Sequence, residues 1–173
     1  KLQNLKKKNK IIWGNLPYNI SSQILIKILK ITNIEKKFTD IILMFQKELA
    51  QKIIGKYPSK DYGRLSIITG FKLQVIKKFL VSFNCFFPKP KVTSMVIHFK
   101  PYKNYRFKIK DLSNLEKITN ILFSNRRKKI NKNIKKILET NKMNQIQDLN
   151  TNLRPENLAP EIFYKITELY EMN

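Results

Sequence analysis

The run Asp40-Ile41-Ile42-Leu43-Met44-Phe45 constrains this chain more than any other segment. A near-continuous apolar stretch of this kind belongs to a parallel sheet buried on both faces, and so to an α/β fold. Around it the pattern is consistent. Lys10 to Asn15 reads as a short buried strand with Trp13 in the core. Pro17 bars its continuation, because proline has no N–H for the ladder. Ser21 and Ser22 are expected to cap a helix over about Gln23 to Lys30. Lys47 to Ile54 reads as a helix closed by Gly55, and Arg64 to Phe71 as a second. Leu73 to Val81 and Ser94 to Lys100 read as strands. The direct link between them, Phe83 to Thr93, predicts an antiparallel pair.

Past Pro101 the periodicity becomes helical. Ser113 and Glu116 form an S-x-x-E capping-box pattern. Leu115, Ile118 and Leu122 make one apolar stripe. Ile130, Ile134, Ile137 and Leu138 make another, and Ile162, Phe163, Ile166, Leu169 and Tyr170 a third. Pro160 suits a first helical turn. The expected division is 1–104 for the α/β part and 105–173 for a small all-α domain.

Composition narrows the chemistry. Among 173 residues, 35 are Lys or Arg and 12 are Asp or Glu, a formal charge of +23. Codon bias spreads lysine over every solvated face. One stretch is denser than the rest: Arg126, Arg127, Lys128, Lys129, Lys132, Lys135 and Lys136, with no acid among them. That density points to nucleic-acid phosphates. One histidine, His98, excludes a His-triad metal site and disfavours Ser-His chemistry, and one cysteine, Cys85, excludes an internal disulfide framework. Four glycines without a G-x-G leave no phosphate-cradling loop. No run approaches the ~20 apolar residues of a membrane span. The chain opens on Lys1 without a signal-peptide pattern, which reads as a processed product or a fragment of something longer. The expected location is the cytoplasm.

Asn15-Leu16-Pro17-Tyr18 directly follows a predicted strand, where α/β sheets place their ligands. Its residue types suit methyl transfer to an exocyclic amine. Such an amine is a poor nucleophile because its lone pair is delocalised into the ring. An amide oxygen (Asn15) and a nearby backbone carbonyl could accept both N–H hydrogens and hold the lone pair toward a methyl donor. Pro17 stiffens the turn, and Tyr18 offers a face to an unstacked base. By itself the tetrapeptide is explained by ordinary turn chemistry. The segment Phe86-Phe87-Pro88-Lys89-Pro90-Lys91-Val92-Thr93-Ser94 adds a proline-stiffened Phe86 that could close the other side of a base sandwich. Alone, that segment reads as a loop with its aromatics in the core.

Together these segments resemble the ribosomal RNA adenine dimethyltransferases. The matching stretches are GNLPYNIS (14–21), MFQKELAQKI (44–53), SKDYGRLSI (59–67), FFPKPKVTS (86–94), NRRKKINKNI (125–134) and LRPENLAPEIF (153–163). The 44–53, 59–67 and RRKK stretches resemble the small-subunit branch. The resemblance implies a Rossmann-like class I methyltransferase sheet, N-terminally incomplete, followed by a helical rRNA-binding domain. It implies S-adenosylmethionine as cofactor, touched by Asn15, and a flipped adenine sandwiched by Tyr18 and Phe86. The Pro17 region would supply the accepting carbonyl, and Arg126 to Lys136 would lie on rRNA. The partner would be small-subunit rRNA or its precursor particle, bound by a monomer without metal or membrane.

The family's Gly-rich loop after the first strand and the acidic residue after the second, which hold the cofactor, are not in this sequence. Lys1 to Lys10 would correspond to the approach to the fourth strand of the family's sheet. Alone, the chain is expected to bind cofactor weakly or not at all. The alternative is a non-catalytic rRNA-binding or ribosome-assembly factor that retains the fold. A DNA adenine methyltransferase would need a target-recognition region that is not evident.

The remaining chemistry-bearing residues read as structural. Glu48 favours a helix start, Asp61 a turn, His98 a strand, and Cys85 core packing. Lys89 and Lys91 could reach phosphate or simply be solvated.

Overall fold

The structure is a computed structural model that describes residues 10–172. The expected approach to the fourth strand thus lies almost wholly outside the described residues. The chain divides into two compact units. The first comprises residues up to Ala50 together with Lys72–Asn104, and the second comprises Gln51–Phe71 with Tyr105 onward. Segment 51–71, which precedes the expected junction at 104/105, therefore packs with the helical tail.

The first unit is built on a four-stranded sheet: β1 (Ile11–Asn15), β2 (Asp40–Gln46), β3 (Leu73–Val81) and β4 (Ser94–Pro101), in the order β1-β2-β4-β3. β1 and β2 are parallel, with Asn15 beside Met44. α1 (Ser21–Leu29) and α2 (Ile34–Lys37) lie between them in the chain. β4 pairs antiparallel with both β2 and β3, as the direct 83–93 link requires.

β2 is not buried equally on its two sides. Ile41, Leu43 and Phe45 are sealed, with Ile97 and Phe99 of β4 and Leu25 and Leu29 of α1, whereas Ile42 and Met44 are half-buried. The parallel register puts Ile11 and Trp13 on that second, more open face, beside Asp40 and Ile42. Trp13 is 77% exposed and Ile11 55%. The expectation of a core tryptophan is therefore wrong. β1 is a sheet edge, and no described residue covers its outer face.

Three local expectations are corrected. Ser21 and Ser22 do not cap α1: the helix already includes both, and Ser21 Oγ donates to the Tyr18 carbonyl at 3.1 Å. Ser113 is likewise inside its helix, α5 (Leu112–Phe123). The cap is Asp111, whose extended backbone lets its carboxylate accept from Ser113 N–H at 2.8 Å. Cys85 is exposed, not packed, because it falls on a 3₁₀ turn, Phe83–Cys85.

His98 is more than a strand residue. Its Nε2–H donates to Asp40 Oδ1 at 2.6 Å across the β2–β4 ladder. This bond, then the Thr39 hydroxyl and the Lys100 charge, hold the Asp40 carboxyl below its usual range against a small opposing effect of burial. A carboxylate with a depressed folded pKa adds stability above its unfolded pKa and loses it as pH falls through the folded value. Wild-type melting temperature should therefore drop more steeply below about pH 4 than that of Asp40→Asn, as read by circular dichroism. Parallel curves would show that the pair adds nothing.

In the second unit α5 packs on α8 (Pro160–Tyr170) around Leu115, Ile118, Leu122, Phe163 and Ile166. α6 (Asn131–Ile134) and α7 (Thr140–Met143) complete the tail, and α3 (Lys47–Ile53) and α4 (Arg64–Lys72) carry the chain out of and back into the first unit. Tyr62 and Tyr164 fasten 51–71 to the tail: Tyr62 Oη donates to the Leu158 carbonyl at 2.9 Å, and Tyr164 Oη to that of Ile67 at 2.8 Å. Burial pushes the Tyr62 phenol far above its usual range, so it serves as a permanent donor.

Gly55 is required by a close approach, not by a left-handed helix cap, since no glycine has a positive φ. A Cβ there would lie 2.4 Å from the Asp61 carbonyl oxygen and 2.8 Å from Tyr62 N, both backbone atoms. Gly55→Ala should cost about 1–3 kcal/mol in urea unfolding. Gly63→Ala, with nothing nearer than 4.0 Å, should change stability little. Equal effects would show that the 55/61 contact is not tight.

Candidate functional site

The Asn15 side chain follows from how β1 ends. Pro17 stops the ladder, and the parallel pairing leaves the carboxyl ends of β1 and β2 side by side. The turn that follows is tied internally. The Pro17 carbonyl accepts from Ile20 N–H at 3.2 Å, and the Tyr18 carbonyl from Ser21 Oγ. No bond of the turn engages the Leu16 carbonyl.

Tyr18 is held from its far end. Its hydroxyl shares a 2.6 Å hydrogen bond with Ser94 Oγ, at the first residue of β4. Ser94 is fully buried, so the far end of the ring is tethered to the sheet while one part of Tyr18 stays accessible. The chain then reaches the same place from the other direction. After β3, the 3₁₀ turn is capped by Ser82 Oγ accepting from Asn84 N–H, and Phe86 leaves it in extended conformation. Phe87-Pro88 is a cis peptide.

These two segments, about 70 residues apart in sequence, line one open cleft of about 410 Å³. Asn15, Leu16, Pro17 and Tyr18 form one side, and Phe86, Phe87, Pro88 and Pro90 the other. The structure thus brings together all four residues singled out for the pocket: Asn15, Pro17, Tyr18 and Phe86. Sequence reasoning gave no role to Phe87, which is 100% exposed at the cleft. The Phe86-Phe87 doublet was visible, but which ring faces solvent depends on the 3₁₀ turn. Lys89 and Lys91 are exposed and do not line the cleft.

The cleft chemistry is one amide, exposed and half-exposed rings, and proline hydrocarbon. It suits a flat heteroaromatic ring bearing an amine. Of the lining groups, the Asn15 amide alone could also touch the amino-acid end of S-adenosylmethionine. No lining side chain is acidic, so none could hold a ribose diol. Among the described residues no cluster of three His, Cys, Asp or Glu could hold a metal, and no helix is long and apolar enough to cross a membrane.

The basic stretch lies in the second unit. Ile130 and Ile134 are completely buried, while Arg126, Arg127, Lys128, Lys129, Lys132, Lys135 and Lys136 are exposed. Apolar anchors thus present a ridge of cations to solvent. Arg126 differs from the others. Its Nε donates to Glu156 Oε2 at 2.6 Å, and its Nη2 to the Lys60 and Tyr62 carbonyls at 3.2 Å. It braces the unit, and six cations remain turned outward.

Comparison with known proteins bears on the family and the fold. The family model described as ribosomal RNA adenine dimethylase matches residues 2–172. The chain is 42% identical over 161 residues to ribosomal RNA small subunit methyltransferase A of Pelagibacter ubique, covering 92% of this chain and 61% of that protein. It is 38% identical to the protein of the same name from Malacoplasma penetrans, covering 90% and 56%. The chain therefore spans about three fifths of the length of these relatives. A dimethyladenosine transferase from Plasmodium falciparum shares the fold with a TM-score of 0.73 at 24% identity, over 95% of this chain and 67% of that one. The 23S rRNA methyltransferase ErmE does so with 0.65 at 19%, over 96% and 67%. With an in-order family match along nearly its whole length, and with the amide-and-ring cleft at the end of β1, the chain belongs to the ribosomal RNA adenine dimethylase family.

Proposed function

We propose that the complete protein dimethylates N6 of two adjacent adenosines in a hairpin loop of small-subunit rRNA, in ribosome biogenesis in the cytoplasm, using S-adenosylmethionine. The supporting observation is the convergence of Asn15, Tyr18 and Phe86 on one cleft from two distant segments. In this reading Tyr18 and Phe86 hold the extruded adenine between them. Asn15 Oδ1 and the Leu16 carbonyl accept the two N6 hydrogens, so the nitrogen becomes pyramidal with its lone pair facing the methyl donor. Bound S-adenosylmethionine supplies an electrophilic sulfonium methyl. Asn15 is the residue of this chain that would touch that group, and the N6 proton displaced on methylation would leave to water. No group in the cleft is placed as a strong base, and none is needed for a proton already made acidic by alkylation. The ridge from Arg127 to Lys136 contacts phosphates, which position the RNA while the cleft chooses the base.

The test uses a form carrying the whole methyltransferase domain. It is incubated with S-adenosylmethionine and a small-subunit rRNA hairpin containing adjacent loop adenosines. Nuclease digestion and mass spectrometry should find N6,N6-dimethyladenosine at both positions. RNA binding without any methylated adenosine would favour the non-catalytic factor instead.

A further inference from the structure

A second cavity, of about 660 Å³, lies wholly within the helical unit, and nothing in the proposed methyl transfer uses it. Its volume is that of a small-molecule site. The charged residues lining it balance: Arg106 and Lys165 against Asp148 and Glu161. That is unusual in a chain with 35 basic and 12 acidic residues. A neutral lining argues against a phosphate as occupant and for an uncharged polar group.

The lining also has the parts that recognise a base. The Arg106 guanidinium sits over the Phe107 ring, 5.6 Å from its centroid, and the ring is backed by Tyr164 at 5.4 Å. A guanidinium plane held in this way is a stacking platform for an unpaired base. The Gln145 and Gln147 side chains make no hydrogen bond to any described residue, so both amides have donors and acceptors for a base edge. Asp148 carries a carboxylate in the same condition, able to accept from ribose hydroxyls. Its backbone is left-handed, with φ 61°, a conformation aspartate tolerates better than most residues.

One wall of the cavity is joined to the basic ridge. Ile130 N–H, in the midst of the ridge cations, donates to the carbonyl of Leu153, a lining residue, at 3.0 Å. Arg126 grips Glu156, next to Asn157 of the same wall. The segment that carries the ridge and the wall of the cavity are thus hydrogen-bonded neighbours.

We infer that this cavity takes a nucleoside, a base with its ribose, from an unpaired stretch of the RNA that lies on the ridge. The inference rests on the ridge being an RNA surface, as proposed above. The nucleoside held here is distinct from the adenosine in the methyl-transfer cleft.

The test compares binding of a fluorescein-labelled single-stranded RNA decamer and a duplex of the same length by anisotropy, across a salt series. Phe107→Leu and Gln147→Ala should each weaken single-strand binding, the first by about tenfold, because the guanidinium platform loses the ring that holds it. Duplex binding and the salt slope should not change, because no phosphate contact is removed. Gln147 is exposed, so its variant keeps the test informative if Phe107→Leu fails to fold. Equal weakening of both RNAs, or single-strand binding unchanged in Gln147→Ala, overturns the nucleoside pocket. Failure of the wild-type chain to bind either RNA overturns the ridge and the pocket together.

Discussion

Asn15→Ala, in a form with the whole methyltransferase domain, should lower methyl transfer by about 10²–10³-fold and leave rRNA binding unchanged. The magnitude is that of removing one preorganised hydrogen-bonding group at a reacting centre. The separation of effects follows from where the residue sits. Asn15 closes β1 and faces the cleft, and its side chain is exposed, so the fold does not depend on it. The measurement is single-turnover transfer of labelled methyl at saturating RNA, with Kd for RNA taken in parallel. Turnover at the wild-type level would remove the amide from the mechanism. Loss of RNA affinity in step with activity would make Asn15 a docking residue instead. Tyr18→Phe is a useful companion. It keeps the ring and deletes the 2.6 Å bond to Ser94 Oγ. Its cost should be smaller, about tenfold, and should appear as loosened base positioning.

Replacing Arg127, Lys128 and Lys129 together by glutamine should make the log–log salt dependence of RNA binding shallower by about 2 to 3, one unit or slightly less per lost phosphate contact. Arg126 is excluded because its guanidinium is committed to Glu156 and two carbonyls. Changing it would loosen the unit and confuse the reading. The three chosen side chains are all exposed, and Ile130 beside them supplies the anchoring. Affinity should fall by orders of magnitude at low salt and much less at high salt, where the wild type has already lost that contribution. A slope equal to the wild type would place the phosphate path elsewhere.

The backbone plan was legible in the sequence because its signals are local. The 40–45 run, the 83–93 link and the 115–122 and 162–170 stripes are read without reference to anything distant, whereas of the 130–138 stripe only Ile134 lies in a helix, α6. Cap identity was not legible: Asp111 and Ser113 are both good caps, and only the entry angle of the chain selects the aspartate. Burial failed at Trp13 for another reason. A strand's residues say that it belongs in a sheet, but whether its outer face is covered depends on what packs there. In the site, Asn15, Pro17, Tyr18 and Phe86 could be named from turn and ring chemistry. The accessible Phe87 and the Tyr18–Ser94 bond could not, since both depend on the three-dimensional path of 83–94. The balanced cavity around Phe107 and Gln147 had no sequence signature at all, because its walls come from separate stretches of the tail and from Tyr57.

Trp13 is the chain's one indole, and it shares a sheet face with Asn15 two residues on. Its emission is therefore a built-in gauge: red in water, shifting to the blue when any layer settles against that side of β1. Excitation at a wavelength selective for indole would report, without any label, how dry the neighbourhood of the amide becomes.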